Sequence, residues 1–225
     1  MINTIIEKQF NNEIPAPGKT GVDWYLFCYF LNKFKNGKFL EIGVGKGGSL
    51  ISLCAYSNDV TAIDDWAHGW SKDIVQTHLN YINKTVKFID KDSLTINPAE
   101  LETYDVIHLD ANKQYNKVLQ DLLLCDVIST GIICIDDYMN SMWPEVTRAV
   151  DYFLMQNNQW RMIMIGNHQA FIAKKPIAVK EIIRDWPVAM LDNTLYLTYG
   201  SLPDIVNDFV EHGAMIYSWH KTAWE

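Results

Sequence analysis

Apolar residues along this chain fall into two patterns that alternate with each other. Short, nearly unbroken apolar runs at 39–44, 59–64, 85–89, 104–110, 131–137, 160–166 and 169–174 read as strands. Between them, apolar residues recur at helical spacing over 22–34, 49–56, 115–128 and 144–157, the last helix opened by Pro144, and a polar helix is expected at 71–83. The helix at 22–34 is apolar on the side of Trp24, Phe27, Cys28 and Leu31, and Tyr25 and Tyr29 widen the stripe. A helix this apolar is buried, against the body of the protein or against a second subunit.

Alternating strand and helix implies a doubly wound, mostly parallel sheet with right-handed crossovers. The hairpin-length turn at Asn167-His168 adds one antiparallel strand near the C-terminal end of the pattern. The expected fold class is therefore α/β with seven strands. Ahead of it, 1–35 reads as a loose leader, broken by IPAPGKTG at 14–21, and the apolar helix. The core covers 36–175. Beyond Pro176 the pattern changes to a segment at 179–186, a strand-like 195–198, a helix at 203–212 stopped by Gly213, and an apolar run at 215–219. This accessory segment, 176–225, is expected to serve as a lid, an acceptor-site element or a dimer surface. No internal repeat or low-complexity segment interrupts the order.

Composition narrows the functional classes. A chain of 225 residues suits one domain with additions, able to bury roughly 70% of its unfolded surface. Its net charge of −8 repels nucleic acid, and no lysine or arginine block reverses this locally, so small-molecule chemistry is expected and no nucleic-acid partner. Cys28, Cys54, Cys125 and Cys134 form no C-x-x-C pair and lie in apolar segments, which predicts reduced core cysteines in a cytoplasmic protein. The sequence has neither a basic start followed by an apolar run nor an apolar stretch of the ~20 residues that a membrane span needs. Trp66, Trp70 and Trp143 fall at the ends of predicted strands, where packing is expected more than substrate stacking.

The candidate chemistry begins at FLEIGVGKGGS, residues 39–49: a strand, a glycine loop and the start of a helix. Such a loop aims free N–H groups and the positive end of a helix at one point. Gly43, Gly45 and Gly48 satisfy G-x-G-x-x-G, the dinucleotide pattern. Glu41, an acid in an otherwise apolar strand, argues against a pyrophosphate there. The acid-x-Gly-x-Gly-x-Gly made by Glu41, Gly43, Gly45 and Gly47 resembles the first motif of the class I S-adenosylmethionine (SAM)-dependent methyltransferases. That resemblance covers about 39–174 and implies SAM as cofactor, cradled by these residues and Ser49, with Glu41 ordering the loop or facing the cationic methionyl end. Asp64 follows Gly43 by about the ~20 residues at which an acid meets ribose hydroxyls, a spacing that serves NAD and SAM alike. Asp92 and Ser93, at the end of the third strand, stand where the family hydrogen-bonds the adenine edge. Gly18-Lys19-Thr20 looks like part of a phosphate loop, but Glu13 stands where that motif needs glycine.

In an open parallel sheet the ligand sits outside the carboxyl ends of the strands, which singles out Asp110 after the fourth strand and Asp136 and Asp137 at the end of the fifth. Three carboxylates at one edge call for a positive partner such as Mg²⁺; the alternative leaves Asp110 facing the cofactor and Asp137 capping the next segment. LDANKQY at 109–115 and IDD at 135–137 resemble stretches of the metal-dependent catechol and caffeoyl-coenzyme A O-methyltransferases. Together with VTRAV at 146–150 they also resemble the macrocin-type sugar O-methyltransferases. The resemblance implies that Asp110, Asp136 and Asp137 ligate Mg²⁺, that Lys113 is the general base, and that a small-molecule hydroxyl accepts the methyl group. Asn112 departs from the second acid of the caffeoyl and macrocin patterns, and Lys113 stands where macrocin types often carry His. His108, inside a strand, is expected to be structural, while His68 and His168 could line an acceptor pocket. The rivals are an NAD-dependent oxidoreductase, a methyltransferase without metal, and an inactive binding module of the same fold; a homodimer is possible.

Overall fold

The computed structural model describes residues 4–19, 21–174, 190–191 and 195–196. Its centre is a seven-stranded sheet built from β1 (Lys38–Ile42), β2 (Asp59–Asp64), β3 (Lys87–Asp90), β4 (Tyr104–Leu109), β5 (Ser129–Asp136), β6 (Trp160–Ile165) and β7 (Gln169–Lys174). The strand order is β3-β2-β1-β4-β5-β7-β6. The first five strands pair in parallel, and β7 joins β5 and β6 antiparallel, which is the doubly wound arrangement expected from the sequence.

Each strand sends alternate side chains to opposite faces, and each face has its own helical cover. On one side Phe39, Val60, Val106, Cys134 and Phe171 pack beneath α2 (Gly21–Lys33), α3 (Gly48–Tyr56) and α4 (Lys72–Tyr81). On the other, Leu40, Ile63, Ile107, Ile133 and Ile172 pack against α5 (Tyr115–Ile128) and α6 (Pro144–Gln156). The apolar α2 is buried against the body itself. Its Phe27, Phe30 and Leu31 have no solvent exposure, and Phe30 stacks on Phe171 at a 4.6 Å centroid distance. At roughly 1.5–3 kcal/mol for each large apolar side chain removed from water, this face anchors the helix to the sheet.

The leader is more ordered than its sequence suggests, which corrects that expectation. Thr4–Phe10 forms a helix, α1, whose buried Ile6 packs with Trp24 and Ala55. Gln9 is its tether: the side-chain amide donates to Pro15 O at 2.7 Å and Gly48 O at 2.8 Å, and its oxygen accepts from Ser52 Oγ at 2.8 Å. A helix of two turns is marginal alone, so these tertiary bonds, invisible to periodicity, hold it. Met190–Leu191 (β8) pairs antiparallel with Leu195–Tyr196 (β9), the latter within the strand expected at 195–198. The expected elements at 179–186, 203–212 and 215–219 lie outside the described residues.

The four cysteines are free thiols. Burial pushes Cys28 and Cys54 up to about 12 and Cys134 higher still, so these side chains remain protonated and inert. No described helix is long and apolar enough to cross a membrane.

Candidate active site

A cleft of about 730 Å³ opens along the carboxyl ends of the parallel strands, a size that suits a small cofactor and acceptor. β1 ends at Ile42 because the next residue, Gly43, turns away with φ +89°. A side chain there would also stand 2.6 Å from the backbone of Ala111, so glycine satisfies both the turn and the approach of the neighbouring strand end. Asp64, at the end of β2, ties the loop down. Its Oδ2 accepts from Val44 N at 2.7 Å and Gly45 N at 3.2 Å, and its Oδ1 accepts from Trp66 N at 2.7 Å. Gly43, Gly45, Ser49 and Asp64 all line the cleft, whereas Gly47 is the N-cap residue of α3 and lies off its wall. At Gly48 the constraint comes from the leader, since a Cβ would meet Ala16 O at 2.3 Å. Ala16, Pro17 and Gly18 thereby form a wall of the cleft.

Glu41 lies behind the loop instead of on the cleft wall. It pairs in register with His108 across β1 and β4, with Oε1 3.1 Å from Nδ1, both side chains fully buried. Burial raises the carboxyl well above its usual range, against the pull of the Ser49 hydroxyl, and burial lowers the imidazole well below its own. Burial thus works against charge on both groups, and their contact is a hydrogen bond inside the sheet. Glu41 therefore supports the loop from beneath, and His108 is the structural histidine that its strand position implied.

Asp110, Asp136 and Asp137 do converge. One carboxylate oxygen from each lies within 4.8 Å of the others. The sequence did not reveal that two ammonium groups are seated among them. Lys113 Nζ is 2.5 Å from Asp110 Oδ1 and also pairs with Asp137. Lys19 Nζ is 2.5 Å from Asp136 Oδ1, with its side chain only 3% exposed. Burial acts to lower both lysines, but the attraction of Asp136 and Asp110 on Lys19, and of Asp110 and Asp137 on Lys113, holds them above their usual value. Asp110 moves the other way: burial and the neighbouring Asp136 push it up to about 6, with Lys113 and Lys19 opposing. As a set of hard oxygen donors the three carboxylates fit a divalent cation, which would compete with the two ammonium groups for them.

The opposite end of the cleft is organised by a single buried acid. Ser93, in the turn after β3, donates from Oγ to Asp121 Oδ1 at 2.6 Å, and Asn112 Nδ2 donates to Asp121 Oδ2 at 2.8 Å. Ser93 and Asn112 line the cleft, while Asp121 is 1% exposed behind them on α5. Asp92 also lines the cleft and caps the turn by accepting from Leu94 N at 3.0 Å. Asp121 sits on the apolar stripe of α5 with Val118, Leu122 and Cys125, and an acid on a buried stripe is the signal that could have found it.

At the rim, Trp70 and Trp143 are 45% and 43% exposed, so these two are not packing residues as expected; Lys46 lies over the Trp70 ring at 4.8 Å. Trp66 does pack, against Phe88. His68 lines the cleft and His168 does not.

Residues 40–138 match the family model described as a methyltransferase domain. No curated protein sequence matches the chain. Among solved structures, a Streptococcus mutans protein assigned as a methyltransferase, in complex with SAH, superposes with a TM-score of 0.56 at 17% identity, over 67% of this chain and 96% of that one. An rRNA methylase from Streptococcus thermophilus gives 0.55 at 12%, over 71% and 99%. A Staphylococcus aureus protein assigned as a caffeoyl-CoA O-methyltransferase gives 0.53 at 19%, over 76% and 90%. At these identities the likeness is one of fold.

Proposed function

We propose that this chain is a SAM-dependent methyltransferase of the class I fold and that it methylates a hydroxyl of a small-molecule acceptor, phenolic or sugar, with assistance from Mg²⁺. The observation that carries the reading is the convergence of Asp110, Asp136, Asp137 and Lys113 beside the cofactor loop. SAM, when bound, supplies an electrophilic methyl group, and the glycine loop, Asp64, Asp92 and Ser93 are the residues that would hold it. Mg²⁺, when held by the three aspartates, supplies positive charge that lowers the pKa of an acceptor hydroxyl. Lys113 takes the hydroxyl proton only after giving up its own. The carboxylates now at its Nζ favour the ammonium, so it becomes a base when those carboxylates are engaged elsewhere. Trp70 and Trp143 at the rim offer aromatic faces to the acceptor. The net charge of −8 disfavours a polyanionic acceptor such as RNA.

A second reading has its own observation. Lys19 and Lys113 together already balance two of the three carboxylates, so the ammonium groups themselves could stabilise an acceptor oxyanion without a metal. Mass spectrometry of the purified protein with SAM and a panel of catechols, phenolic acids and sugars tests the shared part of both readings. Methylated product from one acceptor class is expected; calorimetry that finds tight NAD binding and none of SAM would return the chain to the dinucleotide class.

A further inference from the structure

The strands β4, β1, β2 and β3 stand side by side in that order, and the cleft follows their carboxyl ends. The glycine loop follows β1, Asp64 ends β2, and Ser93 follows β3. A nucleoside whose ribose meets the acid that ends β2 must carry its base past β2, to the end of β3. Ser93 is therefore placed at the base.

The hydroxyl there is not free to choose its role. A serine hydroxyl has one hydrogen to give and two lone pairs. The hydrogen of Ser93 is given to Asp121 at 2.6 Å, and the second oxygen of Asp121 is occupied by the Asn112 amide at 2.8 Å. Burial raises the Asp121 carboxyl above its usual range and the two donors pull it back, and with a donor on each oxygen Asp121 accepts from both. What Ser93 turns towards the cleft is then lone pairs alone. The same contact explains the Asn112 departure, since an aspartate at 112 would set a second carboxylate against the buried Asp121.

We propose that Asp121 is a positioning residue that sets base selectivity: by holding the Ser93 hydrogen it makes the cleft accept an amino-substituted purine and reject an oxo-substituted one. An exocyclic amine can donate to the Ser93 lone pairs, whereas a carbonyl oxygen meets them with lone pairs of its own. The inference rests on the SAM reading of the cleft, and its test separates the two. In D121N the new amide can donate to Ser93 Oγ while its oxygen accepts from Asn112, so every buried group keeps a partner but the Ser93 hydrogen is released towards the base.

The experiment is calorimetric binding of S-adenosylhomocysteine (SAH) and its inosine counterpart, S-inosylhomocysteine, to wild type, D121N and S93A, each checked for a cooperative melt. Wild type should prefer SAH by on the order of 100-fold, as a site built around a donor rejects the analogue that lacks it. D121N should lose at least about 10-fold of that preference, through weaker SAH binding with S-inosylhomocysteine unchanged or tighter. S93A should lose preference likewise, and it carries the test if D121N fails to fold. A D121N that weakens both ligands by one factor, or an S93A with wild-type preference, would overturn the inference while leaving the SAM reading standing. Wild type that binds no SAH overturns both.

Discussion

The two ends of the cleft solve the problem of buried charge in opposite ways. At the β4 and β5 end, two lysines balance two of three carboxylates through direct ion pairs, and Asp110 is pushed up to about 6. At the β3 end, one carboxylate is satisfied by neutral donors, a hydroxyl and an amide. Ion pairs can be exchanged, because a cation or a proton can replace a lysine. A hydrogen-bonded acid is a fixed fitting whose value lies in the direction it imposes. The first end is therefore suited to chemistry, in which protons and charge move, and the second to recognition.

The largest effect should come from the chemical end. Lys113→Met should lower turnover on the order of 10²-fold or more and leave SAH binding near wild type, compared by steady-state rates and calorimetry. Near-normal turnover would return Lys113 to a purely charge-balancing place. Lys19→Met should come next. It strands Asp136 without its buried partner and should cost about 3 kcal/mol of stability in chelator-treated protein, read by denaturant unfolding. If the cluster takes a cation, added Mg²⁺ should recover part of that loss, whereas Ser93→Ala at the other end should show no Mg²⁺ dependence.

A smaller effect concerns pH. Asp110 has its pKa raised from the usual value near ~3.9 in the unfolded chain to about 6 in the fold. The folded state therefore holds a proton that the unfolded state releases between those values. Its contribution to stability is fully present below ~3.9 and is lost as pH rises through about 6. In metal-free protein, Asp110→Asn should flatten this part of the stability profile, measured by thermal melts from pH 4 to 7. An unchanged slope would mean that the proton sits elsewhere in the cluster.

Much of the frame was legible because local pattern and tertiary structure agree. β2 (Asp59–Asp64) and α5 (Tyr115–Ile128) occur where their apolar spacing placed them, each bounded by residues that break the pattern. β1 stops at Ile42, short of Val44, because Gly43 turns the chain away, and the Val44 N–H is then claimed by Asp64, 20 residues along, a bond that no local rule contains. The site was legible to the extent that strand ends predict it, which brought Asp64, Asp92, Ser93 and Asp110 to one cleft and Asp136 and Asp137 to its edge. Lys19 was not, since its partner lies 117 residues away and its only sequence signal was a failed phosphate loop. Glu41 shows the converse: its motif position was clear, but the register that sets it against His108 decides that it faces inward.

The central claim is that the acid cluster works as a cation site during methyl transfer. The direct test is turnover of SAM with a responsive acceptor, after exhaustive EDTA treatment and then across a Mg²⁺ titration. The account predicts that chelation abolishes turnover and that Mg²⁺ restores it, with Asp136→Asn shifting the titration to higher Mg²⁺. Turnover that survives chelation undiminished would contradict it and leave Lys19 and Lys113 as the charges that stabilise the acceptor.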